Sequence, residues 1–243
     1  MDRLEYTPEI EEETAEVFRK LKGTVPEAEW ALHAPYISAI NRLKKERNAV
    51  ILAHNYQTPE IYHGVADLVG DSLGMARMAA ETEADVILVS GVHFMAETAK
   101  LLCPGKKVLI PDPTAGCSLA DSITADDVRM MKSSHPGIPV VTYVNTSAAV
   151  KAETDVCCTS SNAVRIVNAL ESDKVIFLPD QHLGRYVAAR TDKELILWMG
   201  SCEVHRVFTA REIRDLRRKY EGIQVIAHPE CPLEVLEIGR AHV

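Results

Sequence analysis

The sequence predicts an α/β fold of parallel sheets covered by helices, and three observations lead to it. Short β-branched runs alternate with helix-like segments. The runs are apolar throughout instead of alternating with polar residues, as strands do when both faces of their sheet are covered. The order of elements also repeats at a nearly constant offset, so the chain is expected to hold copies of one Rossmann-like α/β unit, with a third copy present only as its first strand.

The first residues, "MDRLEYTPEIEEETAEVFRKLKG", are acidic and amphipathic, and residues 1–34 are expected to form an N-terminal helical segment. Strands follow at "AVILAHN" (49–55), "DVILVSG" (85–91), "KKVLIPD" (106–112), "PVVTYVN" (139–145), "KVIFLPD" (174–180) and "ELILWMG" (194–200). Between them, "SLGMARMAAETE", "MAETAKLLC" and "NAVRIVNALES" carry apolar residues about a turn apart and predict helices. "DVCCTS" predicts a buried strand containing Cys157 and Cys158, and Cys103 closes a helix.

Four landmarks measure the repeat. Asn55 to Asn145 is an offset of 90, Ser72 to Ser160 of 88, "DVILVSG" to "KVIFLPD" of 89, and Cys117 to Cys202 of 85. Unrelated elements would drift in loop length, so residues 35–120 and 121–206 are expected to be two copies of one unit. "IQVIAHPE" fits the first strand of a third, begun within 207–243, with Glu230 opposite Asn145. A third counterpart of Cys117 and Cys202 would fall beyond Val243. The tail Ile-Gly-Arg-Ala-His-Val has a codon choice, ATC GGA AGA GCA CAC GTC, that resembles a sequencing-library adapter, so coding sequence is expected to end near Glu237.

Composition narrows the function classes. With 47% hydrophobic residues the chain can bury a sizeable core. Its formal charge is -8 and its positive charges are scattered, which argues against nucleic acid as a partner. The N-terminus lacks a signal-peptide core, and no stretch approaches the roughly 20 apolar residues that cross a bilayer. A cytoplasmic, membrane-free protein is expected. In that reducing compartment six cysteines argue against a disulfide framework and leave buried thiols, metal ligands or a nucleophile.

In open parallel sheets, ligands bind beyond the carboxyl ends of strands. His54, Asn55 and Tyr56 follow the first strand; Tyr143 and Asn145 end its counterpart; His228 and Glu230 end the third. Ser72 and Ser160 stand where helices begin, so they are expected to cap them, and such a start also seats phosphate or carboxylate. These edges are expected to converge on one cavity. His93 and His182 begin a matching pair of helices and are expected to act locally. His228-Pro229-Glu230 is otherwise an ordinary strand-ending turn with a surface carboxylate.

Cys117 in "TAGCSLA" and Cys202 in "MGSCEVH" lie in turns, whereas core cysteines usually sit inside apolar segments. Two thiolates without a CxxC pairing fit a structural zinc site poorly. Three thiolates from three units would hold an iron–sulfur cluster with one iron open to substrate. Spacing alone leaves free buried thiols as the commoner outcome.

The motifs "ILAHNYQTPEI", "GDSLGMAR", "GVHFMAETAK", "VNTSAAVKA", "CTSSNAV", "PDQHLGRYVA", "GSCEVH" and "VIAHPECP", in this order and spacing, resemble quinolinate synthase from about Leu43 to Val235. The resemblance implies three homologous domains about a pseudo-threefold axis and a [4Fe-4S] cluster taking one cysteine from each. Cys117 and Cys202 match two of these ligands, and the third is missing from the chain. Cys231 is declined, because it follows the first strand of its unit and the other two follow the last.

The implied reaction, a step of NAD biosynthesis, condenses iminoaspartate with dihydroxyacetone phosphate to quinolinate, losing phosphate and water. The cluster serves as Lewis acid, and an iminoaspartate-producing enzyme is the implied functional partner. Substrate contacts are carried over to His54, Ser72, Tyr143, Asn145, Ser160, His205, His228 and Glu230, and proton transfer to Tyr56, His228 and Glu230. With two thiolates the chain alone is expected to bind a cluster poorly, to show little activity, and to expose apolar surface at its third unit.

Two other classes compete. One is a metal-free aldolase-type α/β enzyme; its Schiff-base form needs a strand-ending Lys, which none of these strands has. The other is a module that only binds a phosphorylated metabolite.

Overall fold

The computed structural model describes residues 4–241, so residues 1–3 of the N-terminal segment and 242–243 of the tail lie outside the described residues. The chain divides into two compact units, 1–115 and 116–243.

The first unit opens with α1 (Pro8–Leu21) and α2 (Glu27–Glu46). Thr7 caps α1 by accepting the Ile10 N–H, Pro8 supplies a preset φ at its start, and acidic residues precede basic ones along its length. Gly23, at φ +87°, makes the turn that a residue with a side chain would resist. Then come β1 (Ala49–His54), α3 (Pro59–Gly64), β2 (Leu68–Gly70), α4 (Ser72–Glu81), β3 (Val86–Ser90), α5 (His93–Leu102) and β4 (Lys107–Leu109). The strands form one parallel sheet in the order β2-β1-β3-β4. Leu21, Trp30 and Ile37 from the helical layer bury against Ile51 of β1 and Leu88 of β3. α2 runs unbroken through position 34, Pro35 included.

The second unit contains a 3-10 turn (Ala120–Ser122), α6 (Ala125–Ser134), β5 (Val140–Tyr143), α7 (Ala148–Ala152), β6 (Val156–Cys158), α8 (Ala163–Ala169), β7 (Lys174–Leu178), α9 (Gln181–Ala188) and β8 (Glu194–Leu197). Its parallel sheet has the order β6-β5-β7-β8, the same winding as the first. The apolar runs are explained by alternation along the central strands. Val141, Tyr143, Val175 and Phe177 face α8 and α9, while Val140, Ile176 and Leu178 pack with Val128 of α6 and Val150 of α7. Both faces are covered, so no position in these runs is left for a polar residue on the solvent side.

After β8 come α10 (Glu203–Arg206), α11 (Ala210–Lys219), β9 (Ile226–Ala227), α12 (Leu233–Leu236) and β10 (Arg240–Ala241). β9 is the third first-strand run, and the structure adds β10 in parallel beside it.

Two expectations are corrected. "DVCCTS" is not a buried strand at both cysteines: β6 is a three-residue edge strand, and Cys157 is exposed while Cys158 is buried. The "NAVRIVNALES" helix stops at Ala169, because Leu170 adopts an extended backbone. Among the described residues no helix is long and apolar enough to cross a membrane.

Candidate functional site

Residues beyond the carboxyl ends of the second unit's strands gather around one carboxylate. Glu230 is only 2% exposed, and its Oε2 lies 3.1 Å from His228 Nδ1, 3.4 Å from the Tyr143 hydroxyl and 3.6 Å from His205 Nδ1. The two imidazoles stack at a centroid distance of 4.8 Å. His228 Nε2 continues the chain to the Ser160 hydroxyl at 3.2 Å. The Glu230 backbone N–H also approaches His228 Nδ1, at 3.4 Å. One nitrogen cannot donate to the carboxylate and accept from the amide, and the shorter contact decides it: Nδ1–H donates to Glu230, leaving Nε2 to accept from Ser160.

Burial sets the electrostatics. The Tyr143 phenol is pushed well above its ordinary range by desolvation and then by the Glu230 charge, so it stays a donor at neutral pH. Desolvation lowers the His205 pKa against the opposing pull of Glu230, which favours the neutral imidazole. His205 Nδ1 and Glu230 Oε1 are buried with no hydrogen-bond partner among the described residues. Such orphaned atoms are costly and mark a place where a ligand would satisfy them.

The two turn cysteines share one local device. Backbone N–H groups two and three residues on point at each sulfur: Leu119 and Ala120 at Cys117, Val204 and His205 at Cys202. Both side chains pack against the same core. Desolvation raises both thiols, Cys202 to about 11, with the Glu230 charge adding to it. Amide donors aimed at sulfur stabilise a thiolate once a metal replaces the proton. The donor set therefore fits a thiolate-ligated iron–sulfur group, to which these two residues would contribute ligands. Cys231 is buried in the same core, and its shift has the His228 backbone as its hydrogen-bond partner; it lacks the paired amides.

Sequence reasoning missed Asp180. Its fully buried carboxylate accepts the Leu183 N–H at 2.7 Å, capping α9, and the Cys202 N–H at 3.0 Å, holding the cysteine turn. Desolvation pushes its pKa up to about 6. The available signal was an Asp ending a strand immediately before a helix, the cap position. His182 Nδ1 is also buried and, among the described residues, has no hydrogen-bond partner.

Ser160 does not cap α8; Asn162 occupies the cap position and Ser160 turns to His228. Nor does Ser72 cap α4. It is the first helical residue, and Asp71 caps by accepting the Gly74 N–H at 2.7 Å. Asp outcompetes the expected serine because its carboxylate sits one residue earlier with the β-region backbone a cap requires. Ser72 belongs to the first unit, as do His54 and Tyr56, whose rings lie 4.0 Å apart. Desolvation lowers the His54 pKa, so it too is a neutral group. Tyr56 is 55% exposed, and its hydroxyl lies 3.7 Å from the Met95 sulfur. Asn145 is half-buried just past β5. His93 Nδ1 lies 3.9 Å from Glu97 Oε1, one turn along the same helix.

Comparison with known proteins agrees with this geometry. A family model described as quinolinate synthetase A protein matches residues 38–242. The quinolinate synthase of Sinorhizobium fredii is 59% identical over 235 residues, 97% of this chain and 66% of that protein. That of Caulobacter vibrioides is 59% identical over 236 residues, covering 96% of this chain and 64% of its own length. That of Xylella fastidiosa is 62% identical over 200 residues, 82% of this chain and 59% of the relative. The chain thus spans about two thirds of the length of the curated relatives it matches. A family match across most of the chain, two like-wound parallel sheets and a polar cluster at strand ends lead to one conclusion: this chain belongs to the quinolinate synthase family.

Proposed function

We propose that this chain serves the condensation of iminoaspartate with dihydroxyacetone phosphate to quinolinate, a transferase reaction of NAD biosynthesis that releases phosphate and water. The observation that carries the reading is the buried Glu230 carboxylate held between His228, Tyr143 and His205. Repeated dehydration needs a group that takes a proton from carbon and another that returns one to a departing hydroxyl. Glu230 Oε2 is the base in this reading. His228 Nδ1–H gives its proton to the departing hydroxyl, the proton that Glu230 took from carbon passes back to Nδ1 across their 3.1 Å contact, and Ser160 holds the imidazole in place by donating a hydrogen bond to Nε2. Tyr143, kept protonated by burial, has one hydroxyl proton, which turns from its long contact with Glu230 to a substrate oxygen.

Both substrates are anions, and the neutral donors of Asn145, Ser160 and His205 can hold carboxylate or phosphate without a fixed cation. His54, Tyr56 and Ser72 of the first unit are assigned substrate contacts and, for Tyr56, a proton. A [4Fe-4S] cluster held in part by Cys117 and Cys202 would supply Lewis acidity when bound. These two supply fewer thiolates than the three implied by the family resemblance, so little quinolinate formation is expected from this chain alone. The supply of iminoaspartate points to an enzyme that produces it as the functional partner.

The test is anaerobic reconstitution, with ferrous iron and sulfide, of this chain completed with a third thiolate. Brown absorbance with bound iron and sulfide, lost in Cys117→Ser and in Cys202→Ser, supports the reading. Iron uptake indifferent to both substitutions overturns it. In a protein given a third thiolate, Glu230→Gln should keep the colour and lose quinolinate formation.

A further inference from the structure

Ligand atoms of Cys202, His205 and Glu230 all lie within 4.8 Å of one another. Cys202 and His205 are three residues apart on one helical turn, the close pairing that zinc sites use, and Glu230 arrives from beyond β9. The His205 Nδ1 to Glu230 separation of 3.6 Å is near the roughly 3.3 Å that two bonds of about 2 Å make at a tetrahedral angle. The remaining slack is within the reach of side-chain rotation.

Two further observations point to a cation. His205 Nδ1 and Glu230 Oε1 are buried and, among the described residues, have no hydrogen-bond partner. Glu230 is also a buried carboxylate whose ion-pair contacts, among the described residues, are to histidines alone. A buried carboxylate without a lysine or arginine calls for another counter-charge. A thiolate and a carboxylate together would match the charge of a divalent ion, with neutral imidazole as third ligand.

We propose that Cys202, His205 and Glu230 form a mononuclear site for a borderline divalent cation such as Zn²⁺, with water in the fourth position. Sulfur, imidazole and carboxylate together suit zinc better than magnesium or calcium, which prefer oxygen alone. The site does not require Cys117. It shares Cys202 with the iron–sulfur reading, so the two groups exclude one another, and zinc bound first blocks cluster assembly.

The experiment uses the full chain, stripped of metal anaerobically, with Zn²⁺ as probe. Expected are one tightly held equivalent by elemental analysis and X-ray absorption showing one sulfur at about 2.3 Å with nitrogen or oxygen in the other positions. This measurement needs no variant. Cys202→Ser, His205→Ala and Glu230→Gln should each weaken binding about a hundredfold or more, since even outer-shell changes cost roughly 10–100-fold. Cys117→Ser should leave zinc binding in place here and, in the protein given a third thiolate, abolish cluster reconstitution, which separates failure of this site from failure of the cluster reading. Two sulfurs around zinc, loss of zinc in Cys117→Ser, binding unchanged in His205→Ala or Glu230→Gln, or no retained equivalent would each overturn the proposal.

Discussion

Tyr143 illustrates how one side chain serves packing and chemistry through different atoms. Its ring lies in the second unit's core, while its hydroxyl makes a long, 3.4 Å bond to Glu230. The hydroxyl should therefore contribute little stability and the ring much. Tyr143→Phe is expected to lower the unfolding free energy by about 1 kcal/mol or less, and Tyr143→Ala by about 3–5 kcal/mol, in urea titrations. His54 provides the pH signature of the first unit. Desolvation lowers its folded pKa against the pull of Asp71, so folding favours the neutral imidazole. That stability is present above the unfolded value of about 6.5 and is lost as pH falls through the lower folded value. An NMR titration should place the His54 midpoint below 6.5, and His54→Gln should flatten the loss of stability on the acid side of that value; a midpoint at or above 6.5 contradicts the assignment.

At the scale of elements, the cysteine turn after β8 is held by close packing. Gly200 pairs across to Asp180, and its carbonyl accepts the Gln181 N–H at 2.9 Å. A Cβ there would lie 2.4 Å from Ser122 Oγ and 2.6 Å from the Pro179 carbonyl oxygen. Side-chain rotation can relieve only the first of these. Gly200→Ala is expected to cost about 1–3 kcal/mol in urea unfolding, and the double variant with Ser122→Ala to recover only part, because the backbone clash remains. Full recovery would show that the serine alone sets the limit. Distortion of this turn acts on chemistry directly, since Cys202 lies two residues further on.

Across the whole molecule, the second unit exposes Met199, Val204, Val207 and Phe208 within ten residues of one another in sequence, and Ile226 of β9 is 67% exposed. Apolar side chains exposed this closely along the chain can offer apolar surface to a small hydrophobic probe. The folded chain is expected to enhance the fluorescence of an apolar dye such as ANS. Val204→Lys with Val207→Lys should reduce that signal while shifting stability by no more than about 0.5 kcal/mol each. An unchanged signal would place the dye elsewhere.

The sequence by itself determined the class of the fold and its repetition. Val141 and Val175 face one layer and Val140 and Ile176 the other, so these strands are apolar on both faces apart from buried Thr142, and that constraint can be read in one dimension. The repeat offsets were legible because two units of like winding, β2-β1-β3-β4 and β6-β5-β7-β8, require like spacing. Cys117 and Cys202 stood out for their turns, and His228 and Glu230 for ending a strand. Only the tertiary structure decided what these groups meet. The partners of Glu230 lie 25 to 87 residues away along the chain, apart from His228, and Ser160 left its helix for a histidine 68 positions distant. Burial decided the rest: it separated Cys158 from exposed Cys157 on an edge strand and raised the Asp180 pKa, because desolvation depends on what is packed overhead and not on neighbours in sequence.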